Sequence, residues 1–349
     1  METMINTHLS LFSGAGGLDI GLKMAGWNTI AFVENNKDCQ KTLQQNMPHS
    51  TIYPDVTSFD IEEFKWNKLQ DGRDLDLISG GPPCQPFSTA GKRLGLNDER
   101  GKLFFNYANI IKELNPKFFI MENVRGLVSA SVPDGEPGSV LKSIIYPTFQ
   151  MMGYELTAGL LNAYNYNVAQ HRIRFIMIGS RDHQFGCWPT ILPIEQLAEP
   201  TNSELTLSDA LTGLDGEPEY TPYSTKQSEV FKLVPPGGNW RSFVDEDFKN
   251  QIMGNADPSR GGNVGYWRRL SYNKYSPTLT TTPTQKATGF CHPEEVRPLS
   301  VQEYARIQGF PDDWSFSGTT TSKYRQIGNA VPIQLGKTIG NALFKYLKF

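Results

Sequence analysis

Residues 7–24, THLSLFSGAGGLDIGLKM, decide how the chain is read. Thr7 to Ser13 reads as a first strand, Leu18 to Met24 as a helix, and Gly14, Gly16 and Gly17 stand between them. Glycines at such a join permit a tight turn and bring backbone N–H groups at a helix N-terminus close to a ligand. The spacing is GxGG rather than GxGxxG, and a loop of this kind also serves as a plain strand-to-helix turn. Glu34 weighs toward a nucleotide ligand. It ends a second strand, Thr29 to Glu34, where an acidic side chain in nucleotide-binding α/β folds accepts ribose hydroxyls. Asp55 in YPDVT falls where a third strand would end and could accept from an adenine amino group, although a single acid there is also an ordinary solvated loop residue.

Outward from this unit the first half alternates strand-like and helical runs. Leu75 to Ser79, Phe118 to Glu122 and Arg174 to Gly179 read as further strands, and Leu103, Tyr107, Ile110, Ile111 and Leu114 recur at helical spacing. Alternation of this kind predicts an α/β, Rossmann-like, mostly parallel sheet covered by helices. From about Pro189 the texture changes to short pieces broken by Pro, Gly, Asn and Asp, as in PPGGNW and NADPSRGGNVG, which predicts a second, smaller, loop-rich domain. Helical character returns with LSVQEYARIQGF and from Ile333 to Tyr346. The expected division is 1–188 catalytic and cofactor-binding, 189–276 loop-rich, 277–298 a hinge, and 299–349 rejoining the first domain.

The segment DLDLISGGPPCQPFS sets Cys84 just past a buried strand, framed by two glycines and by prolines that fix the backbone. A lone buried cysteine is commonly an inert small hydrophobe, but the Pro-Pro-Cys-Gln-Pro frame argues for display at the carboxyl end of a strand, where α/β folds put their chemistry. A thiolate there suits attack on an electron-poor carbon. The next strand ends in FFIMENVRGL, bringing Glu122 and Asn123 to the same sheet edge; a buried Glu122 could hold a proton for a ring nitrogen. In NVAQHRIRFIMIG, Arg172 and Arg174 alternate on an incipient strand, where they could clamp a carbonyl oxygen, orient the carboxylate, or merely form a surface salt bridge.

In this order FSGAGG, GPPCQPFS, ENV, QHRIR, RPLSVQEYARIQGFP and YRQIGNAVP resemble the motifs of the DNA (cytosine-5) methyltransferase family, of the bacterial restriction–modification type, over nearly the whole chain outside the loop-rich part. The resemblance implies S-adenosyl-L-methionine as cofactor, contacted by Phe12, Gly14, Ala15, Gly16, Gly17, Leu18, Glu34, Asn35, Asp55, Val56, Pro82, Leu103, Asn329 and Ala330. It implies Cys84, Glu122, Arg174, Arg172 and Asn123 around a flipped-out target cytosine, and no metal. Gln85, together with Ser88, Arg93 and Arg100 of a loop spanning 88–100 that would close over the DNA, would meet DNA, and the loop-rich part would be the target-recognition domain. Double-stranded DNA is the expected substrate, with a cognate restriction endonuclease as genetic partner and a monomer as the expected state.

Three other readings share some of these residues. An RNA (tRNA) cytosine-5 methyltransferase would keep the same catalytic set; a nicotinamide-dependent oxidoreductase lacks its GxGxxG here; a DNA-binding module without catalysis is at odds with an intact Cys84, Glu122 and Arg174. The net charge of −3 does not by itself advertise a nucleic-acid partner. Charge is unevenly spread, however: Glu195, Glu199, Glu204, Asp209, Asp215, Glu217 and Glu219 load one stretch with acid, and Arg241, Lys249, Arg260, Arg268, Arg269 and Lys274 make the next basic. Cys39, Cys84, Cys187 and Cys291 form no CxxC pair, so neither a zinc site nor a disulfide framework is expected. The absence of a signal-like or membrane-length apolar run predicts a cytoplasmic protein with no membrane partner, and the single compact catalytic unit without an added regulatory domain leads to the expectation of a bacterial or phage-infected cell.

Overall fold

The computed structural model describes residues 6–69, 74–83, 99–132, 135–181, 194–201, 204–253 and 265–345, with Glu99 and Arg100 described by backbone alone. Strands β1 (Thr7–Leu11), β2 (Asn28–Val33), β3 (Thr51–Tyr53), β4 (Leu77–Gly80), β5 (Phe118–Val124), β6 (Tyr154–Asn162) and β7 (Ile173–Arg181) form one sheet in the order 3-2-1-4-5-7-6. The first five run parallel, and β7 lies antiparallel to both β5 and β6. This is the expected mostly parallel α/β sheet. Its strand order reverses between β1 and β4, and such a switch point opens a crevice at the carboxyl ends of the strands.

The run FFIM in β5 shows why the parallel strands read as unbroken apolar sequence. Side chains alternate across a strand, so Phe119 and Met121 enter one core while Phe118 and Ile120 enter the other, and all four are buried. The first core is closed by α3 (Ile61–Lys68), α4 (Glu99–Leu114) and α5 (Tyr146–Gln150) through Phe64, Tyr107, Ile111 and Phe149. The helical spacing read from Leu103 to Leu114 lies within α4. The opposite core is closed by α1 (Gly17–Met24), through Leu18 and Leu22, together with the last helix of the chain. Between β2 and β3 runs α2 (Lys37–Asn46), started by Asn36, whose side chain accepts from the amides of Asp38 and Cys39.

Beyond the sheet come α6 (Ile194–Leu197), α7 (Leu207–Leu211), α8 (Thr225–Leu233), α9 (Glu246–Met253), the short strands β8 (Arg268–Arg269) and β9 (Phe290–Cys291), then α10 (Val301–Gln308), α11 (Thr320–Asn329) and α12 (Ile333–Phe344). Val230, Phe231, Trp240, Ile252, Met253, Trp267 and Cys291 make a separate small core. The segment read as a hinge supplies β9, which pairs with β8, so its latter half is built into that core. Ser300 and Glu303 form a capping box that starts α10, and α12 returns to pack on α1 and close the second core of the sheet. Strand β6 was not among the sequence-predicted strands. It is one of the two edge strands of this sheet, buried only at intervals along its length, and has neither a continuous apolar run nor a clean alternation.

Among the described residues no helix is long and apolar enough to cross a membrane. The basic stretch is not a uniformly exposed patch. Arg269 is buried and donates to the carbonyls of His292, Pro293, Glu294, Phe231 and Val234, holding the small core together, and Arg268 sits over the Phe290 ring. Arg260 lies outside the described residues.

Candidate active site

A crevice of about 650 Å³ lies at the carboxyl ends of β1, β2, β4 and β5. One end is built by the glycine loop. Phe12 carries φ 55°, a left-handed conformation uncommon for a non-glycine residue, and its amide donates to the Val33 carbonyl, so the chain turns sharply off β1. Gly17 must be glycine: a Cβ there would lie 2.5 Å from the Val331 carbonyl, where the segment leading into α12 packs against the start of α1. Glu34 ties the loop to β2, Oε2 accepting from the Gly14 amide at 2.7 Å and Oε1 from the Asn36 amide at 2.8 Å. Burial raises its carboxyl above the ordinary value, and the amides of Asn36, Gly14 and Asn35 offset part of that. A carboxylate has about four lone-pair sites, so Glu34 keeps acceptor capacity for a ligand hydroxyl.

The other end is built by β4, β5 and β7. In the antiparallel β5–β7 ladder Glu122 is opposite Ile176 and Val124 is opposite Arg174, which sets Glu122 and Arg174 diagonally on one face. Arg174 Nε lies 2.8 Å from Glu122 Oε1, an ion pair in place although the N–H is not aligned for a hydrogen bond. Burial drives the Glu122 carboxyl above its ordinary value, opposed by the charges of Arg174 and Arg172. Gly81 makes room for it: a Cβ there would lie 2.9 Å from Glu122 Oε2. Asn123 has a distinct task. Its Nδ2 donates to the buried Pro82 carbonyl at 2.8 Å, and its Oδ1 accepts from the Val124 amide, so β5 latches the Pro82–Pro83 turn.

Of the sequence-predicted residues, Phe12, Gly14, Gly17, Leu18, Glu34, Asn35, Pro82, Glu122, Asn123, Arg174, Asn329 and Ala330 line this crevice. The others sit in its support. Ala15 is buried beside Ile20 and Phe32; Gly16, at φ 83°, is the N-cap of α1; Asp55 caps a short turn by accepting from the Thr57 amide; Val56 and Leu103 pack in the main core. Arg172 does not line the crevice. It is fully buried and donates to the carbonyls of Leu279 at 2.9 Å and Gly328 at 2.6 Å, joining the start of β7 to the segment before β9 and to the end of α11. Cys84, Gln85, Ser88 and Arg93 lie outside the described residues, as does the side chain of Arg100.

Further residues line the crevice without having been singled out, and three of them carry polar or charged groups of note. Ser10 and Asp19 lie at its floor, and Arg325 comes from α11. Asp19 occupies the third position of α1, where an acid ordinarily reads as a helix-dipole partner, so nothing in its local sequence announces a ligand. Cys39 also lines the crevice, but burial pushes its thiol up to about 12, which keeps it protonated near neutral pH.

A doubly wound sheet with a glycine loop at its switch point, and a buried acid–arginine pair across the same crevice, defines a Rossmann-like α/β enzyme. A family model for C-5 cytosine-specific DNA methylase matches residues 6–345. The chain belongs to that family and is a DNA (cytosine-5) methyltransferase. It is 43% identical over 341 residues to the type II methyltransferase M.Sau96I of Staphylococcus aureus, covering 96% of this chain and 75% of the relative. It is 39% identical over 358 residues to M.Eco47II of Escherichia coli, covering 98% and 80%. Among solved structures it resembles a prophage-encoded protein of E. coli described as a DNA modification methyltransferase, with a TM-score of 0.71, 25% identity and coverage of 98% and 99%. Schizosaccharomyces pombe Dnmt2 shares the fold, with a TM-score of 0.66 at 18% identity and coverage of 98% and 99%.

Proposed function

We propose that the protein transfers a methyl group from S-adenosyl-L-methionine to C5 of a flipped-out cytosine within a specific sequence of double-stranded DNA, through a covalent adduct with Cys84, as the modification enzyme of a type II system. The observation that carries this reading is the Glu122–Arg174 pair, facing the Gly81–Pro83 turn that leads directly into Cys84. The crevice fits an adenosyl cofactor in its chemistry. Glu34 retains acceptor capacity for ribose hydroxyls, and Phe12, Gly14, Asn35 and Asn329 line the wall around it. When bound, the cofactor supplies an electrophilic methyl group on a sulfonium.

This chain's residues do the rest. Cys84 adds as thiolate to C6 of the cytosine, forming an S–C6 bond, while Glu122 holds a proton at N3 so that the electron pair can accumulate toward C5. Burial, which raises its carboxyl above the ordinary value, suits it to carry that proton. Arg174 orients the acid, and Asn123 holds the turn before the nucleophile. Once C5 is methylated, loss of its proton and cleavage of the S–C6 bond return the thiolate. Because C6 is shielded inside a stacked duplex, the base must leave the stack at a cost of a few kcal/mol. Cys39, with its thiol held protonated, does not compete for the nucleophile's role.

Residues 189–276 are assigned to target recognition, residues 277–298 to the hinge, and residues 299–349 to the catalytic domain. Gln85, Ser88, Arg93 and Arg100 are assigned to DNA contacts, and a cognate endonuclease is the expected genetic partner. The test is incubation with unmethylated plasmid and cofactor, followed by base-resolution mapping of 5-methylcytosine. Methylation at one short recurring sequence, lost in Cys84→Ala, is expected. A folded, cofactor-binding enzyme that leaves DNA unmodified would overturn the substrate assignment.

A further inference from the structure

Asp19 is an acid with no structural task. It is 1% exposed, and neither Oδ1 nor Oδ2 has a hydrogen-bond partner, although the residue lies at the crevice floor beside Ser10 and Gly17. Leaving buried carboxyl oxygens unpaired costs free energy that a fold without a use for them would not retain. The contrast with Glu34, a second acid in the crevice, is informative: both Glu34 oxygens accept well-formed hydrogen bonds from loop amides, whereas neither Asp19 oxygen does so from any described residue, and only the Ser10 hydroxyl and its own amide act on it weakly. Of the three acids that line this crevice, Glu122 is paired with Arg174 and Glu34 with the loop amides, which leaves Asp19 to answer a cation.

We propose that Asp19 is the counter-charge for the α-ammonium group of the adenosyl cofactor, set into the crevice floor beneath the glycine loop. This rests on the crevice being the cofactor site. The cofactor carries two cationic centres, and the sulfonium must face the base that receives its methyl group, so the ammonium is the one left for a floor residue. The amides at the N-terminus of α1 suit the neighbouring carboxylate of the same amino-acid moiety. The charged and polar groups around Asp19 agree with an ionisation that waits for the ligand. Glu34, at the end of β2, is an acid and opposes it; Ser10, on β1, is neutral; Arg325, from α11, lines the same crevice. Burial pushes the Asp19 carboxyl up to about 7, partly offset by the Ser10 hydroxyl and its own amide. Arrival of an ammonium would therefore drive the proton off.

Calorimetric titration of the full chain with S-adenosylhomocysteine, and with its analogue lacking the amino group, tests this without turnover. Asp19→Asn is expected to weaken S-adenosylhomocysteine at least tenfold and to leave the deamino analogue within about twofold. Repeating the wild-type titration at pH 7 in buffers of different ionisation enthalpy should reveal release of about half a proton with S-adenosylhomocysteine and none with the analogue. That measurement stands even where the variant fails to fold. Equal loss for both ligands, no loss for either, or proton release that persists in Asp19→Asn and so belongs to Glu34, would overturn the proposal. A wild-type chain that binds neither adenosyl ligand would instead overturn the assignment of the crevice.

Discussion

Replacing Arg174 by Leu strips Glu122 of the charge 2.8 Å away, within a pair whose side chains are 11% and 14% exposed. At an effective dielectric of about 20, charges this close attract by on the order of 4–6 kcal/mol, and breaking a buried pair by removing one partner typically costs about 3–5 kcal/mol. Glu122 can escape much of that cost by taking a proton, which makes the loss depend on pH. In the wild type, burial already raises the folded carboxyl above its ordinary 4.5 despite Arg174 and Arg172. The folded state therefore binds this proton more tightly than the unfolded chain. The stability so gained is full below about 4.5 and is lost as pH rises through the folded value. Without Arg174 the folded value moves higher, so the variant goes on losing up to about 1.4 kcal/mol per pH unit where the wild type has levelled off. Urea unfolding of both proteins between about pH 5 and 8.5 should give a stability gap that widens with pH, and Glu122→Gln in the Arg174→Leu background should abolish the widening. A gap that is constant across that range would refute the reasoning, because the ion pair would then not be what holds Glu122 in its charge state.

Asn123→Ala removes the donor to the buried Pro82 carbonyl, so a loss of about 1–3 kcal/mol is expected in denaturant melts. Single-turnover methylation should fall further than S-adenosylhomocysteine affinity, since the latch holds the turn before Cys84 rather than the glycine loop. Gly81→Ala puts a methyl group 2.9 Å from Glu122 Oε2; misplacement of a catalytic group by about 1 Å can cost about 100-fold, so kcat should drop tenfold or more with little change in thermal midpoint. Arg172→Leu leaves the carbonyls of Leu279 and Gly328 without their buried donor. Hydrogen exchange should accelerate around residues 277–281 and 327–330, whereas unchanged exchange there would mean that this junction does not depend on Arg172.

The glycine loop, the apolar strands and the motif residues were legible because each depends on local chemistry: a run buried on both faces needs unbroken apolar sequence, and a sharp turn under a helix needs glycine. The sequence by itself determined the α/β class, the family, and the sheet edge at which Glu34, Glu122 and Asn123 stand. Partnership was beyond it. Arg172 and Arg174 are two positions apart and look equivalent, yet antiparallel register delivers Arg174 to Glu122 while Arg172 is spent on the Leu279 and Gly328 carbonyls. Asp55 and Leu103 fall within motifs but support the walls of the crevice without lining it, and Arg269 reads as a surface cation but staples the small core. Asp19 reads as a helix-start acid. Only the packing of α1 over β1, with the chain's last helix returning alongside it, leaves that carboxylate buried and unpaired, because desolvation is a property of everything that surrounds a group and no local stretch of sequence encodes it.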